Sequence, residues 1–472
     1  MTIPDPQEHK LIRKAEEAGQ NHVFRFWNEL NDASRKKLLK QIQNIDFTLL
    51  DDLHRRVIQN PVKNKGPFRF QATDFISLPK TPEERVWFRE AHESGEKALQ
   101  AGRVAVLLVA GGQASRLGFD GPKGVFPISP IKQKSFFQLY AETLTALTKR
   151  YGSALPWYIM TSPANHSQTL DFFERHDFFK LEAKNVFFFQ QEMIPALSPD
   201  GRLFLDAKDH IFTNPNGHGG ALSGLRKSGA LADMRQRGID LIFYFQVDNV
   251  LAKICDPVFL GFHIQENAHM SAKIVRKRDA QEKLGVFGKI DGRLGVIEYS
   301  DLPEEEKNAR KPDGELKYSA GNIAVHILDL AFIEKVTEKG LNLPWHAAHK
   351  KISHLNAAGN LIEPDTPNGY KFETFIFDAF QNAERAVMLE VVREHEFSPV
   401  KNAQGLDSPE TAKRDLVNVF GAWLEHAGIA VPRDAQNNVQ GLIEISPLFA
   451  LDQEDFKNRS REMQFTGKLY LE

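Results

Sequence analysis

An α/β fold with a mixed central sheet, buried on both faces, is what this sequence predicts, and three observations carry that prediction. Short and nearly continuous apolar runs recur at VAVLLV (104–109), WYIMTS (157–162), NVFFFQQ (185–191) and LIFYFQV (241–247). Stretches of helical periodicity alternate with them, at 135–150 and again through His176. Fully apolar strands alternating with helices are the pattern of a parallel sheet covered on both faces. The third observation is GVFGKIDGRLGVIEY (285–299), which reads as two strands around an Asp291-Gly292 turn. Asp-Gly between apolar runs is a strong hairpin signal, so part of the sheet is antiparallel.

Ahead of the first strand, residues 7–59 carry hydrophobics at three- and four-residue spacing, the period of a helix with one buried face. Asn31, Asp32 and Ser34 mark a break and a new helix start, because their short polar side chains cap free backbone N–H groups. Residues 61–80 are less regular, and 81–101 are helical again. Residues 1–100 therefore read as an N-terminal helical region, 101–403 as the central domain and 404–472 as a small C-terminal subdomain. Within the central part, DLPEEEKNARKPDGELKY (301–318) reads as an exposed excursion. Strand signals thin out from about residue 385, and 410–428 has helical spacing.

Composition narrows the function. The chain has 472 residues, with 60 Lys and Arg against 62 Asp and Glu, for a formal net charge of -2. That balance is not the basic excess of a nucleic-acid binder, though it leaves room for a local basic pocket. Cys255 is the single cysteine, so neither an internal disulfide nor a zinc cluster of several cysteines can form. The start, MTIPDPQEHKLIRKAEEAGQ, has charges where a secretory signal needs an apolar core. The apolar run VAVLLVA (104–110) is far too short to span a bilayer. A cytoplasmic protein acting on small molecules, with no membrane and no nucleic acid among its partners, is the expectation.

Chemistry concentrates after the first strand. Gly111, Gly112, Gln113, Ala114, Ser115, Arg116, Leu117 and Gly118 are followed by Pro122, Lys123 and Gly124. Glycines at a strand's end let the backbone approach a ligand and present N–H groups to phosphate oxygens. Arg116 adds a planar fork of donors and Lys123 a compact charge, a pair suited to a polyphosphate. The spacing matches neither the Gly-Lys-Ser/Thr phosphate loop nor the dinucleotide fingerprint. Further along, Asp248 in QVDN (246–249) follows the LIFYF strand, at the carboxyl edge where open α/β sheets bind ligands. A carboxylate there can hold Mg²⁺ against phosphate oxygens.

The segment LLVAGGQASRLGFDGPKGVFPI closely resembles the signature of the UTP-dependent sugar-1-phosphate uridylyltransferases, above all the UDP-N-acetylglucosamine pyrophosphorylase branch. The usual loop is Gly-Gly-Gln-Gly-Thr-Arg-Leu-Gly, and this chain departs from it at Ala114 and Ser115. Alanine fits only where φ is negative and the gap takes a methyl. The resemblance implies a three-layer Rossmann-like nucleotide-diphospho-sugar transferase fold with a mixed central sheet. It also implies Mg²⁺ as cofactor, and UTP and a hexose 1-phosphate as substrates.

Residue by residue, it implies Arg116, Lys123 and Lys401 (in FSPVKNA, 397–403) as the catalytic cations and Asp248 as the metal-associated carboxylate. Gly111, Gly112, Gln191, Gly217 and His218 would hold the nucleotide, with the Gln191 amide reading the uracil edge. Gly285, Glu298, Asn322, Phe375 and Phe377 would face the sugar. His218 stands where the N-acetylglucosamine enzymes usually carry asparagine, in NPNGHGGALSGL (214–225). Histidine followed by glycine is closer to the UDP-glucose and broad-specificity UDP-sugar enzymes. Uridylyl transfer to N-acetylglucosamine 1-phosphate is the first expectation, and the alternative is transfer to glucose 1-phosphate or, with broad specificity, to several sugar 1-phosphates.

Overall fold

The computed structural model describes residues 6–59, 69–460 and 463–472. Part of the irregular stretch expected at 61–80 therefore lies outside the described residues. Contacts group the chain into two compact units, one of Met1–Phe68, Glu192–Gly220 and Leu343–Ile376, the other of Arg69–Gln191, Ala221–Asn342 and Phe377–Glu472.

The larger unit is built on a ten-stranded mixed sheet: β1 (Phe70–Ala72), β2 (Val104–Val109), β3 (Trp157–Thr161), β4 (Val186–Gln190), β5 (Leu241–Gln246), β6 (Met270–Arg276), β7 (Val286–Ile290), β8 (Arg293–Ile297), β9 (Ala320–Asp329) and β10 (Ala386–Glu390). Its order is β1-β7-β9-β5-β2-β3-β4, with β8 paired to β7 and β6 joining β9 to β10. The four strands legible as apolar runs, β5, β2, β3 and β4, are mutually parallel. Their registers align Val109 with Gln246 on one side and Met160 on the other. The chain thus leaves all four strands at one edge, through Gly111, Ser162, Gln191 and Asp248.

The expected hairpin forms between β7 and β8, turning at Asp291 (φ 51°) and Gly292 (φ 83°). The excursion 301–318 is exposed at its tip, but Leu302 and Tyr318 are buried in a small core with Val286 and Ile297. Strand β9 is irregular in its middle: Ala324 has φ 55° and the pairing with β6 shifts there.

The helix Pro82–Gln100 starts at a capping box, Thr81 with Glu84, and belongs to the sheet-bearing unit. It packs on the helix Pro257–Gln265 at very close range. A Cβ at Gly95 would fall 1.9 Å from the Pro257 carbonyl oxygen, and one at Gly261 would fall 1.7 Å from that of Ala91. The helical first hundred residues are therefore divided between the two units, at residues 68 and 69. The C-terminal subregion, with the helix Pro409–His426 and the parallel pair Leu442–Ile445 and Lys468–Leu471, shares the main core through Leu424, Ile443, Ile445 and Phe456. Glu444 accepts from the Ile131 and Lys132 backbone N–H groups, and Ser446 Oγ donates to Glu142.

The smaller unit holds the helices Pro6–Glu17, Asp32–Asn44 and Phe47–Leu53. Asn31 caps the second, its side chain accepting from Ser34 N at 2.9 Å, as the polar break predicted. Ala15, Leu38, Ile42 and Leu53 form this unit's own core with Ile194, Leu203, Ile211 and Phe372. Its strands pair locally, Met193–Pro195 with Thr213–Pro215 and His346–Lys350 with Gly369–Glu373.

Candidate active site

In the larger unit, the glycine loop is a closed lasso rather than a free turn. Ala114 N donates to Gly121 O (2.9 Å) and Lys123 N donates to Gly112 O (3.1 Å). Asn165, fully buried, ties it to the end of β3 by donating to Ala110 O (2.9 Å) and Gly112 O (3.3 Å) while accepting from Ser162 N. Ala114, the departure from the usual glycine, has φ −94° and is buried, so its methyl meets the condition set by the sequence. Gly112 has open space where a side chain would stand, whereas a Cβ at Gly111 would lie 2.9 Å from Gln191 Oε1. The amide expected to read the base and the glycine expected to admit the nucleotide therefore touch. Arg116 is exposed on the short turn Ser115–Leu117.

Across the same edge, Lys123, Asp248 and the Lys401 segment converge. Lys123 Nζ donates to Val400 O at 3.1 Å, and Val400 N donates to Asp248 O at 2.9 Å. Lys401 itself is exposed. Tyr140, buried behind Asp248, shares its hydroxyl proton between Val247 O and Asn249 O, both at 3.1 Å. Burial and then the Asp248 charge push its pKa well above the usual phenol range, so it stays a neutral donor.

The candidate sugar residues form a second group. Asn322 N donates to Gly285 O at 2.9 Å, and a Cβ at Gly285 would lie 3.3 Å from Glu298 Oε1. The Asn322 side chain accepts from Ala324 N, which fixes it at the irregularity in β9. Phe377 is nearly buried.

The smaller unit assembles Gly217, His218 and Phe375. Gly217 has φ 83°, and a Cβ there would stand 2.2 Å from Thr374 O, so both conformation and space require glycine. The His218 ring lies 5.3 Å from that of Phe375, which lies 4.6 Å from His346. His218 Nδ1 accepts from Ile376 N at 3.1 Å, which leaves the ring proton on Nε2. Burial, then the nearby His346, push its pKa down to about 4, so at neutral pH it is an uncharged donor.

Among the described residues no three Asp, Glu, His or Cys groups gather as a metal cage. A carboxylate at a strand's carboxyl edge has the chemistry to hold Mg²⁺ together with substrate phosphates, and Asp248 stands at that edge. Sequence reasoning missed Asn165 and Tyr140, which brace the loop and the turn that carries Asp248. Neither sits in a motif, so only the fold reveals them.

A glycine lasso, Lys123 and Asp248 stand at the carboxyl edge of parallel strands, where Rossmann-like α/β sheets bind their ligands. The profile of the UDPGP family, UTP–glucose-1-phosphate uridylyltransferase, matches residues 71–460. The chain is 35% identical over 498 residues to the UDP-N-acetylhexosamine pyrophosphorylase-like protein 1 of Homo sapiens, covering 98% of this chain and 97% of that protein. It is 35% identical over 478 residues to the UDP-N-acetylglucosamine pyrophosphorylase of Saccharomyces cerevisiae, covering 96% of each. The crystal structure of the uridine diphosphate N-acetylglucosamine pyrophosphorylase of Trypanosoma brucei, in complex with inhibitor, superposes with a TM-score of 0.83 at 27% identity. It covers 100% of this chain and 99% of that one. This chain belongs to the UDPGP family and is a nucleotidyltransferase. Among the described residues no helix is long and apolar enough to cross a membrane.

Proposed function

We propose that the chain converts UTP and N-acetyl-α-D-glucosamine 1-phosphate to UDP-N-acetylglucosamine and diphosphate, in the cytoplasm. The convergence of the glycine lasso, Lys123, Asp248 and the Lys401 segment at one sheet edge carries this reading. The names of the relatives support the choice of sugar. A non-bridging oxygen of the sugar phosphate attacks the α-phosphorus in line. The bond from that phosphorus to the bridging oxygen breaks, and diphosphate leaves with the electron pair. The attacking phosphate is already anionic, so no protein nucleophile is needed and catalysis consists of positioning and charge neutralisation.

Arg116 and Lys123 hold the triphosphate, and Lys401 offsets the repulsion between two anionic substrates. Gly111 and Gly112 admit the backbone to the phosphates, and Gln191 selects the uracil edge. Mg²⁺ bound with Asp248 would orient the phosphates and stabilise developing charge. Gly285, Glu298, Asn322 and Phe377 face the hexose. Gly217 and His218 keep their role toward the nucleotide, and Phe375 its role toward the sugar.

His218 supports a second reading, in which glucose 1-phosphate is the acceptor. Both are tested by diphosphate release with UTP, Mg²⁺ and a panel of hexose 1-phosphates below saturation, with Asp248→Asn as control. Preference for N-acetylglucosamine 1-phosphate, and loss of release in the variant, supports the first reading. Preference for glucose 1-phosphate replaces it with the second, and no release with any sugar refutes both.

A further inference from the structure

Asp248 and Lys401 come from segments some 150 residues apart in sequence, and one buried amide joins those segments. Asn249 is 3% exposed. Its Nδ2 donates to Glu396 O at 2.8 Å, and its Oδ1 accepts from Ser398 N at 3.0 Å. These two partners fix the orientation of the amide, since a carbonyl needs a donor and an N–H needs an acceptor. Pro399, which pairs with Asn249, has no N–H, so a regular strand ladder cannot form at this point. The side chain supplies the donor and acceptor that the backbone lacks, and Val400 N closes the contact onto Asp248 O.

Both segments are held from behind. Lys273, fully buried, donates to Asp256 Oδ2 at 2.8 Å and pairs with Glu396. Ser398 Oγ donates to Asp415 at 2.8 Å. Tyr140 grips the Asn249 carbonyl on the other side. The anchors end at Val400, whose carbonyl receives Lys123, and the next residue is the exposed Lys401.

We propose that Asn249 is a positioning residue that holds Asp248 and Lys401 in one register, acting through Lys401 without touching substrate. The inference rests on the proposed assignment of Asp248 and Lys401 to the phosphates. Its test is a double-mutant cycle on diphosphate release, using wild type, Asn249→Ala, Lys401→Ala and the double variant. Each single change is expected to lower kcat/KM roughly tenfold to a hundredfold, the scale of a misplaced catalytic group. The double variant should fall no further than about threefold below the worse single variant. The Asn249→Ala loss should appear in kcat, with KM for UTP within about threefold, because the uracil contact assigned to Gln191 is untouched.

Losses that multiply in the double variant would show that Asn249 acts independently of Lys401 and overturn the proposal. So would turnover by Asn249→Ala within twofold of wild type. Full turnover by Lys401→Ala would instead refute the functional assignment of Lys401, and with it the route proposed for Asn249. If Asn249→Ala does not fold, Ser398→Ala takes its place in the cycle. That variant frees the same segment from Asp415, and the same coupling with Lys401→Ala is expected.

Discussion

Replacing Gly111 by alanine isolates the contact between the glycine loop and the Gln191 amide proposed to read the base. The backbone at Gly111 is outside the left-handed region, so alanine is conformationally allowed. The new methyl would stand 2.9 Å from Gln191 Oε1 and 3.5 Å from Ser162 Cβ. An ordinary carbon–oxygen contact lies near 3.4 Å, so the amide must retreat by about 0.5 Å. Gln191 is 8% exposed and its backbone N–H is bonded to Thr161 O, which leaves the side chain as the part that moves. A uracil edge offers that amide one donor and one acceptor contact, each worth about 0.5–1.5 kcal/mol net. Losing both costs about 1–3 kcal/mol, or roughly fivefold to 150-fold in kcat/KM for UTP. Stability should change by less than about 1 kcal/mol, since alanine also restricts the unfolded chain. The assay is steady-state diphosphate release with UTP and CTP varied separately, together with calorimetric Tm. We expect a lower kcat/KM for UTP, a smaller preference over CTP and an unchanged KM for the sugar phosphate. An unchanged kcat/KM for UTP, or an equal defect in sugar-phosphate binding, would refute the assignment of Gln191 to uracil.

Lys273→Met strands the Glu396 carboxylate in the core, while Asp256 keeps Lys253 at 3.0 Å, so urea unfolding should show a loss of about 3–5 kcal/mol. Ala114→Gly, at φ −94° in a buried position, should cost about 0.5–1 kcal/mol by loosening the unfolded chain, seen as a lower Tm with kcat retained. His218, with its pKa pushed down to about 4, stays neutral in the folded state while the unfolded histidine takes up a proton below about pH 6.5. Between those values the unfolded state binds more protons, so stability falls as pH drops from 6.5 to 4. Chemical denaturation of wild type and His218→Asn across that window should show a shallower fall in the variant. The buried His263, pushed down to about 3, leaves a residual slope in both.

Legibility in the sequence followed how local the physics was. The parallel strands β2 to β5 are apolar on both faces because both faces are covered, so their composition alone marks them. The β7–β8 turn and the cap at Asn31 are equally local, each a short-range exchange of hydrogen bonds. Strand β6 did not read as a strand, because MSAKIVR places Lys273 in the middle of the core. Its charge is neutralised by Asp256 and Glu396, which the chain delivers from elsewhere. Strand β10 was lost in a stretch poor in strand signals, and its partner is the equally inconspicuous β6. The close approach of Gly95 and Gly261 was not legible either, since a glycine inside a helix does not name the surface it meets.

By itself, the sequence determined the α/β class, the glycine loop with Arg116 and Lys123, and the family to which these belong. Those features reside in contiguous residues, where spacing and side-chain chemistry act directly. Only the tertiary structure decided that Gln191 meets Gly111, that Lys123 reaches Val400, and that Asn249 ties Asp248 to the segment bearing Lys401. Each of these contacts closes a long loop of chain, and such closure is driven by burial of the whole core rather than by any local preference.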